Sequence, residues 1–196
     1  SSNSWAVIKA VSDAGQGANY WSVGATKSVT INGKVGATAI SSLKVDAFII
    51  GFNHNSGKEG SNRIHFLLGK ISGKFVGLVD SSYGSTTSTS GAFTMNTSNT
   101  NSGGWNNSYM RKTICPAFLA ALPTAWQNII AACTKYSDNT GGGSNTASYV
   151  TATSDKIWLL SEMEVQGTRS YANSAEANYQ KQYDYYRNGN SKDKYQ

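Results

Sequence analysis

Residues 43–68, LKVDAFIIGFNHNSGKEGSNRIHFLL, decide the fold because they contain two apolar runs on either side of a turn-rich loop. In the first run, residues 43–54, apolar side chains occupy both odd and even positions, which predicts a strand buried on both faces. Residues 63–68 predict a second strand, and the Asn, Ser and Gly residues between the runs predict a turn. The segment therefore predicts a β-hairpin whose loop brings His54 close to His65.

His54 and His65 are the two histidines of the chain. A zinc site needs at least a third protein ligand, and Glu59 is the acid that the loop offers. Asp46 shares a strand face with His54 but lies about 26 Å away along an extended chain. We therefore expect the histidines to be polar strand ends and expect no cofactor, with a bound zinc or calcium ion as the alternative.

The remainder of the chain predicts further helices and strands separated by long loops. The predicted elements are a helix over 5–12 capped by Ser4, a hairpin turned at Asn32-Gly33, a strand over 75–79, helices over 107–135, a strand over 156–160, a helix capped by Ser161, and a last helix over 175–187. Loop excursions are predicted at about 81–104 and 137–148, with a polar tail at 191–196. We expect a single α+β domain over residues 1–196, with a mixed or antiparallel sheet, flanking helices and long loops.

Composition limits the classes of function. The chain has 196 residues, 39% hydrophobic and 14% charged, and is rich in uncharged polar residues, which is more typical of secreted or virion-surface modules than of cytosolic enzymes. Its net charge is +6, but the basic residues are dispersed and only Arg111 and Lys112 are adjacent, so we expect no nucleic-acid partner. No apolar run approaches the length of a membrane span, so we expect no membrane partner. The start at Ser1 without a methionine is typical of a processed or excised piece.

The sequence lacks the motifs of the common enzyme classes. It contains no Gly-x-Ser-x-Gly, and the glycines at 141–143 are not followed by the lysine of a phosphate loop. Glu162 and Glu164 would point to different sides of a strand or helix turn, unlike a catalytic carboxylate pair. We therefore expect no catalytic residues, and a metal-assisted hydrolase that uses His54 and His65 is the alternative.

Cys115 and Cys133 have neither CxxC spacing nor a local protease signature. A disulfide between them and a pair of buried free thiols both fit the sequence. Buried free thiols are favoured because free cysteine is among the most buried residue types.

Three ordered motifs carry a family resemblance: GFNHN at 51–55, MN at 95–96 with GGW at 103–105 and SYMR at 108–111, and DKIWLLSE at 155–162. They resemble an uncharacterised domain family of gut bacterial surface proteins and their phages, over a range from about Trp5 to the end of the chain. Members commonly continue with a tryptophan-rich segment and a closing strand. That closing pattern, together with residues 158–162, is similar to the C-type-lectin-like superfamily, which includes phage receptor-binding proteins and formylglycine-generating enzymes.

The resemblance implies a location on a virion or at the extracellular cell surface. It favours a non-catalytic recognition or structural module, in a phage tail or head or in a bacterial surface protein, that contacts a glycan or protein and other chains of an assembly. Aromatic faces pack against sugar C–H groups, while amide and guanidinium groups bond hydroxyls. The predicted ligand-binding residues are Asn53, His54, Asn96, Trp105, Asn106 and Arg111.

Overall fold

The computed structural model describes residues 2–36, 38–71, 74–75, 94–142 and 145–192. The helices are α1 (Trp5–Asp13), α2 (Gly17–Tyr20), α3 (Ser56–Glu59), α4 (Gly104–Asn107), α5 (Cys115–Ala121), α6 (Thr124–Gln127), α7 (Glu162–Gln166) and α8 (Asp184–Arg187), with a π-helical turn at Met110–Ile114 and 3₁₀ turns at Ala147–Tyr149 and Ser174–Asn178. The strands are β1 (Thr26–Val35), β2 (Thr38–Phe52), β3 (Ile64–Ile71), β4 (Lys74–Phe75), β5 (Cys133–Asp138) and β6 (Val150–Asp155). They form two antiparallel sheets, ordered β1-β2-β3-β4 and β5-β6, within one α+β domain, as the sequence predicts. Within the described ranges, every helix is too short or too polar to cross a bilayer.

The β2–β3 hairpin is the centre of the fold. Phe52 pairs with Ile64 and Ala47 with Leu68, which confirms the predicted hairpin of two strands. Residues 47–50 of β2 are all buried, Ala47 against the main core and Phe48 against a second, tyrosine-rich core. Burying a Phe or Ile side chain stabilises the fold by about 1.5–3 kcal/mol, which explains why β2 lies in the middle of its sheet.

The main core lies between the large sheet and helices α1, α5 and α6. Trp5 stacks on Trp126 with ring centroids 4.3 Å apart, and Phe66 of β3 meets Trp5 edge-on at 5.9 Å. Ser4 caps α1 by accepting a hydrogen bond from the Val7 amide at 3.3 Å, which confirms the predicted helix start.

The predicted hairpin turn at Asn32-Gly33 is wrong. Strand β1 continues to Val35 and bulges between Ile31 and Gly33, so the chain reverses only after Val35. The Asn32 side chain accepts a hydrogen bond from the Ser42 amide of the neighbouring strand. A Cβ on Gly33 would lie 3.1 Å from the Cβ of Ala121, so this glycine serves the close approach of α5 and not a turn.

Two predicted elements after Gln127 are also corrected. The helical segment ends there, and Cys133–Asp138 forms strand β5 instead of a last helical turn. Residues 156–160, which were predicted to form a strand, lie outside the strands of the small sheet. The strand that pairs with β5 residue by residue is β6, Val150–Asp155, which directly precedes them. Short apolar runs of this kind do not distinguish a strand from a buried helix or an extended loop by periodicity alone.

The last predicted helix is broken. Residues 175–187 contain the end of a 3₁₀ turn and helix α8, separated by a segment in which the Tyr183 amide donates to the Glu164 carbonyl at 3.0 Å. That external bond and the complete burial of Tyr183 outweigh local helix propensity.

The predicted loops are covered only in part. Lys74–Phe75 pairs with β3, whereas residues 76–79 of the predicted strand and most of the 81–104 excursion lie outside the described residues. The 137–148 loop is shorter than predicted, because β5 extends to Asp138 and a 3₁₀ turn begins at Ala147. Residues 143–144 and most of the polar tail also lie outside the described ranges. Cys115 and Cys133 are buried free thiols, which confirms the favoured interpretation.

Candidate functional site

A cluster of ionisable side chains lies in the interior where the β2–β3 loop meets the small sheet and α7. We call it the buried ionic cluster; its members are His54, Glu59, His65, Cys133, Lys135, Glu164 and Tyr183. All are buried; Glu59 and His65 are each 3% exposed and Glu164 is 1% exposed. The cluster therefore joins residues far apart in sequence within a dry environment.

The backbone of the β2–β3 loop positions two members of the cluster, His54 and Glu59. Asn53 and Asn55 adopt left-handed backbone conformations on either side of His54, which turns the chain into α3. The Asn53 side chain accepts a hydrogen bond from the Arg63 amide at 3.1 Å, closing the loop. The Asn55 side chain donates to the Tyr179 carbonyl at 2.6 Å, which ties the loop to the carboxyl-terminal segment.

Lys135 is the central cation of the cluster. Its Nζ lies 3.0 Å from Glu59 Oε1 and forms a closer contact with Glu164 Oε1. The ammonium also lies over the Trp158 ring, 4.7 Å from its centroid. Burying ions is costly unless they are paired, and two carboxylates around one ammonium leave one surplus negative charge.

Protonation of Glu59 compensates for this surplus. Burial raises the pKa of Glu59 to about 7, more than the nearby Lys135 lowers it. Burial alone would lower the pKa of Lys135, but the carboxylates of Glu164 and Glu59 outweigh that effect and raise it. At neutral pH and below, Lys135 and Glu164 therefore form the ion pair, and Glu59 increasingly carries a proton.

Both histidines are held neutral. Burial, followed by the charge of Lys135, lowers the pKa of His54 and of His65 to about 3. His54 stacks on Tyr183 with ring centroids 3.7 Å apart, and the Nδ1 of His65 lies 2.8 Å from the Tyr183 hydroxyl. Gly51 permits this packing, because a Cβ there would lie 3.2 Å from the Tyr183 ring.

Two atoms of the cluster are buried without a hydrogen-bond partner in the described part of the chain, namely His54 Nε2 and Glu59 Oε2. Both atoms have an ionisable neighbour that lies too far away for a hydrogen bond. His54 Nε2 is 3.9 Å from Glu59 Oε1, and Glu59 Oε2 is 4.0 Å from His65 Nδ1. A buried polar atom without a partner costs about 1–3 kcal/mol, so these two atoms make the cluster less stable than a fully hydrogen-bonded one.

The cluster does not fit a divalent metal while Lys135 is in place. One atom each of His54, Glu59 and Glu164 lie within 4.8 Å of one another, which is the spacing of a metal-ligand set. The Lys135 ammonium, however, contacts the same two carboxylates that an ion would require. A metal would have to displace this charged side chain.

A second polar network lies at the end of β6, around Asp155, which pairs with Cys133 of β5. Its carboxylate accepts from Arg111 Nε at 2.7 Å and from Trp105 Nε1 at 3.0 Å, and Thr153 donates to it at 2.6 Å. Arg111 Nη1 donates to the Asn106 side-chain oxygen at 3.2 Å. Trp105, Asn106 and Arg111 are thus predicted residues that the fold brings together, and each has a side-chain polar atom bonded within the chain.

An open groove of about 290 Å³ adjoins this network. It is lined by Asn96, Thr97, Ser98, Thr100, Ser102, Asn107, Tyr109, Lys112 and Thr113. Asn96 fixes one wall, since its side chain accepts from the Tyr109 amide at 3.1 Å and donates to the Thr100 carbonyl at 2.6 Å. The groove is therefore a polar, solvent-facing surface with a wall held by hydrogen bonds.

The six predicted ligand-binding residues thus fall in three places. Asn96 lines the groove; Trp105, Asn106 and Arg111 form the network beside it; Asn53 and His54 lie in the loop of the hairpin, with His54 buried. The sequence did not predict that Lys135 and Glu164 join Glu59 and the histidines in one cluster. The sequence signal that pointed to Glu164 was the capping box Ser161-x-x-Glu164, which the structure confirms. The contact of Glu164 with Lys135 depends on the tertiary structure and has no signal in the local sequence.

Comparison with known proteins adds a family. The model of a domain of unknown function, DUF6273, matches residues 82–196. The chain belongs to the DUF6273 family. Curated proteins and solved structures offer no match. The prediction of an uncharacterised domain family is confirmed at this level, while the bacterial-surface, phage and C-type-lectin-like context stays a prediction.

The buried ionic cluster spans the boundary of the DUF6273 match. Lys135, Glu164 and Tyr183 lie inside the matched range, whereas His54, Glu59 and His65 come from the preceding hairpin. The matched region therefore shares its interior with the amino-terminal sheet.

Proposed function

We propose that this protein is a non-catalytic recognition module that binds a glycan, as part of a phage particle or of a bacterial surface protein. The observation that carries the proposal is the open groove, which the described residues line with hydroxyl and amide side chains, the aromatic ring of Tyr109 and the ammonium of Lys112. Sugar hydroxyls both donate and accept hydrogen bonds, and Asn, Ser and Thr side chains match that requirement without a net charge.

Preorganisation of the groove supports binding. The Asn96 side chain accepts a hydrogen bond from the Tyr109 amide, which holds residues 96–100 against the start of the π-helical turn. The Met110 amide donates to the Met95 carbonyl at 3.0 Å. Because these groups are already ordered, a ligand would not bear the full entropic cost of ordering them. Exposed threonine and serine hydroxyls remain at the rim to contact it.

Trp105 and Arg111 support the groove from behind in this proposal. Their hydrogen bonds to Asp155 fix the segment 105–111 against β6, so they position the groove wall and leave direct contacts to its lining residues. The ligand-binding role that the sequence predicts for them is thereby an indirect one.

The ionisable groups that could support catalysis are placed differently. His54, His65 and Glu59 lie in the sealed interior, and their reactive atoms face one another or Lys135 instead of the surface. A general acid or base must come within hydrogen-bond reach of its substrate, which this burial prevents. This contrast favours a binding function.

A metal-assisted hydrolase remains the alternative, favoured by the close approach of His54, Glu59 and Glu164. It requires Lys135 to move away and solvent to reach the site. Metal analysis of the purified protein by mass spectrometry, before and after incubation with zinc, tests it. Stoichiometric zinc that survives dialysis would favour the hydrolase over the recognition module.

Glycan binding can be tested on an array of bacterial cell-wall and capsular glycans. Asn107→Ala removes an exposed amide that lines the groove and accepts a hydrogen bond from Lys112, and Asn128→Ala removes an exposed amide outside the groove, as a control. Loss of one ligand hydrogen bond of about 1 kcal/mol predicts roughly fivefold weaker binding for Asn107→Ala alone. Equal affinity in both variants, or no glycan bound by the unmodified protein, would contradict the proposal.

A further inference from the structure

Lys135 and Glu164 are placed as reactants for an amide bond. The amine of Lys135 contacts Glu164 Oε1, and the other oxygen of this carboxylate accepts from the Ser161 amide at 2.9 Å. The capping box therefore fixes the Glu164 carboxyl carbon in position directly beside the amine. Groups held in contact react with effective concentrations far above those of free molecules.

The surroundings of this pair favour a neutral product. Both side chains are buried, with the Trp158 ring on one side of the amine at 4.7 Å and the Tyr183 ring at 5.8 Å. In water, condensation of an ammonium with a carboxylate is unfavourable because both ions are well solvated. A dry interior removes that solvation, so an uncharged amide becomes the better-accommodated species.

Glu59 completes the arrangement. Its Oε1 lies 3.0 Å from the Lys135 amine, and one of its oxygens is within 4.8 Å of a Glu164 oxygen. Its Oε2 is buried and has no hydrogen-bond partner among the residues that the structure describes. A carboxyl group that contacts the amine and lies within 4.8 Å of the acceptor carboxyl is placed to relay a proton between them as the two groups approach.

We propose that Lys135 and Glu164 form an intramolecular isopeptide bond, with Glu59 as the proton-transfer group. The reaction needs no oxidant or cofactor. It is independent of the proposed glycan binding, because it lies in the interior and would stabilise the module whatever the module binds.

The bond-forming step balances as a condensation. Lys135 first passes one proton to the Glu164 carboxylate, giving a neutral amine and a carboxylic acid. The amine attacks the Glu164 carboxyl carbon while Glu59 donates its proton to the acceptor oxygen and takes one from the nitrogen. Collapse of the tetrahedral intermediate expels one hydroxyl group as water, with the proton relayed by Glu59, which ends protonated as it began.

The roles of the two acids follow from their surroundings. Glu59 is the group whose pKa burial raises to about 7, so it carries the proton that a relay needs. Glu164 is held by Ser161 and lacks freedom to rotate, which suits an acceptor. The resulting bond would tie β5 to α7 across 29 residues of sequence.

Intact-protein mass spectrometry tests the proposal on the whole folded chain. We expect the unmodified protein to be lighter than its sequence mass by one water, and digestion to yield one branched peptide that contains both Lys135 and Glu164. Glu59→Gln should retain the full mass of its sequence. Glu162→Gln, which changes another acid of α7 outside the cluster, should still lose the water.

Each other result would overturn a defined part of the proposal. A folded, unmodified protein at its full sequence mass excludes the bond. Linkage of Lys135 to Glu59, or water loss mapped to another peptide, refutes the assigned acceptor. A cross-linked Glu59→Gln protein refutes the proton-transfer role. Circular dichroism of Glu59→Gln shows whether it folds, and the mass of the unmodified protein decides the main question without that variant.

Discussion

Acidification should destabilise this protein because two buried histidines must become protonated when it unfolds. Burial lowers the pKa of His54 and of His65 from 6.5 to about 3 in the folded state. Between these values the unfolded chain binds more protons than the folded one. The stabilising effect of each neutral histidine is therefore complete above pH 6.5 and is lost progressively as the pH falls toward 3.

The expected magnitude follows from the pKa values. At pH 5, about 1.5 units below the unfolded pKa, each histidine costs about 2 kcal/mol, or about 4 kcal/mol for the pair. Glu59 acts in the opposite direction, because burial raises its pKa from 4.5 to about 7 and the folded state binds the extra proton. It returns about 2 kcal/mol between pH 7 and pH 5. The net loss should be about 2 kcal/mol.

Two substitutions should move this pH dependence in opposite directions. His54→Phe keeps a ring against Tyr183 and removes one titrating group, so its unfolding free energy should be nearly the same at pH 7 and pH 5. Glu59→Gln removes the compensating group, so its loss should rise to about 4 kcal/mol. Any constant loss of stability cancels, because each variant is compared only with itself.

Urea denaturation followed by tryptophan fluorescence at pH 7, 6 and 5 measures these differences. The result that would refute the reasoning is an equal change in unfolding free energy between pH 7 and pH 5 for the unmodified protein and both variants. That outcome would mean that the histidines are not held neutral by burial.

Three further substitutions should change stability at neutral pH, each measured by chemical denaturation. Gly104→Ala should cost at least about 2 kcal/mol, because Gly104 has a φ of 51° and a Cβ there would lie 2.0 Å from the Asp138 carbonyl oxygen. Gly57→Ala is the control and should not destabilise, because none of the described residues has an atom within 4 Å of a Cβ at that position. Equal costs would contradict this reading of the backbone. Ser161→Ala removes the cap of α7 and should cost about 1 kcal/mol, an expectation that fails if the denaturation midpoint is unchanged. Asp155→Asn weakens the half-buried ion pair with Arg111 and should lower the unfolding free energy by about 1–3 kcal/mol at low salt. Salt screens charges, so a much greater loss of unfolding free energy at 1 M salt would argue against an electrostatic origin.

Local patterns predicted the parts of the site that lie on one hairpin. The apolar runs in β2 and β3 and the turn residues between them predicted that His54 and His65 would be neighbours, and their rings lie 5.8 Å apart. Their chemical character was predicted less well, since strand ends are usually solvated and these side chains are buried. Burial depends on what covers the loop, which is a property of the whole fold.

Lys135 shows why the remainder could not be predicted. It lies in a six-residue strand whose sequence, CTKYSD, is mostly polar and carries no apolar alternation that marks an inward face. Its partners Glu59 and Glu164 lie 76 residues before and 29 residues after it. Only pairing with β6 and docking of α7 turn this lysine inward.

By itself, the sequence determined the α+β class, the β2–β3 hairpin and the capped helices α1 and α7, and it favoured free thiols over a disulfide for the two cysteines. These depend on apolar periodicity, turn residues and capping groups that act within a few residues of one another. The tertiary structure alone decided the end of β1, the course of residues 128–187 and the assembly of the buried ionic cluster. Those features depend on desolvation and on charge pairing between distant segments, which have no local signature in the chain.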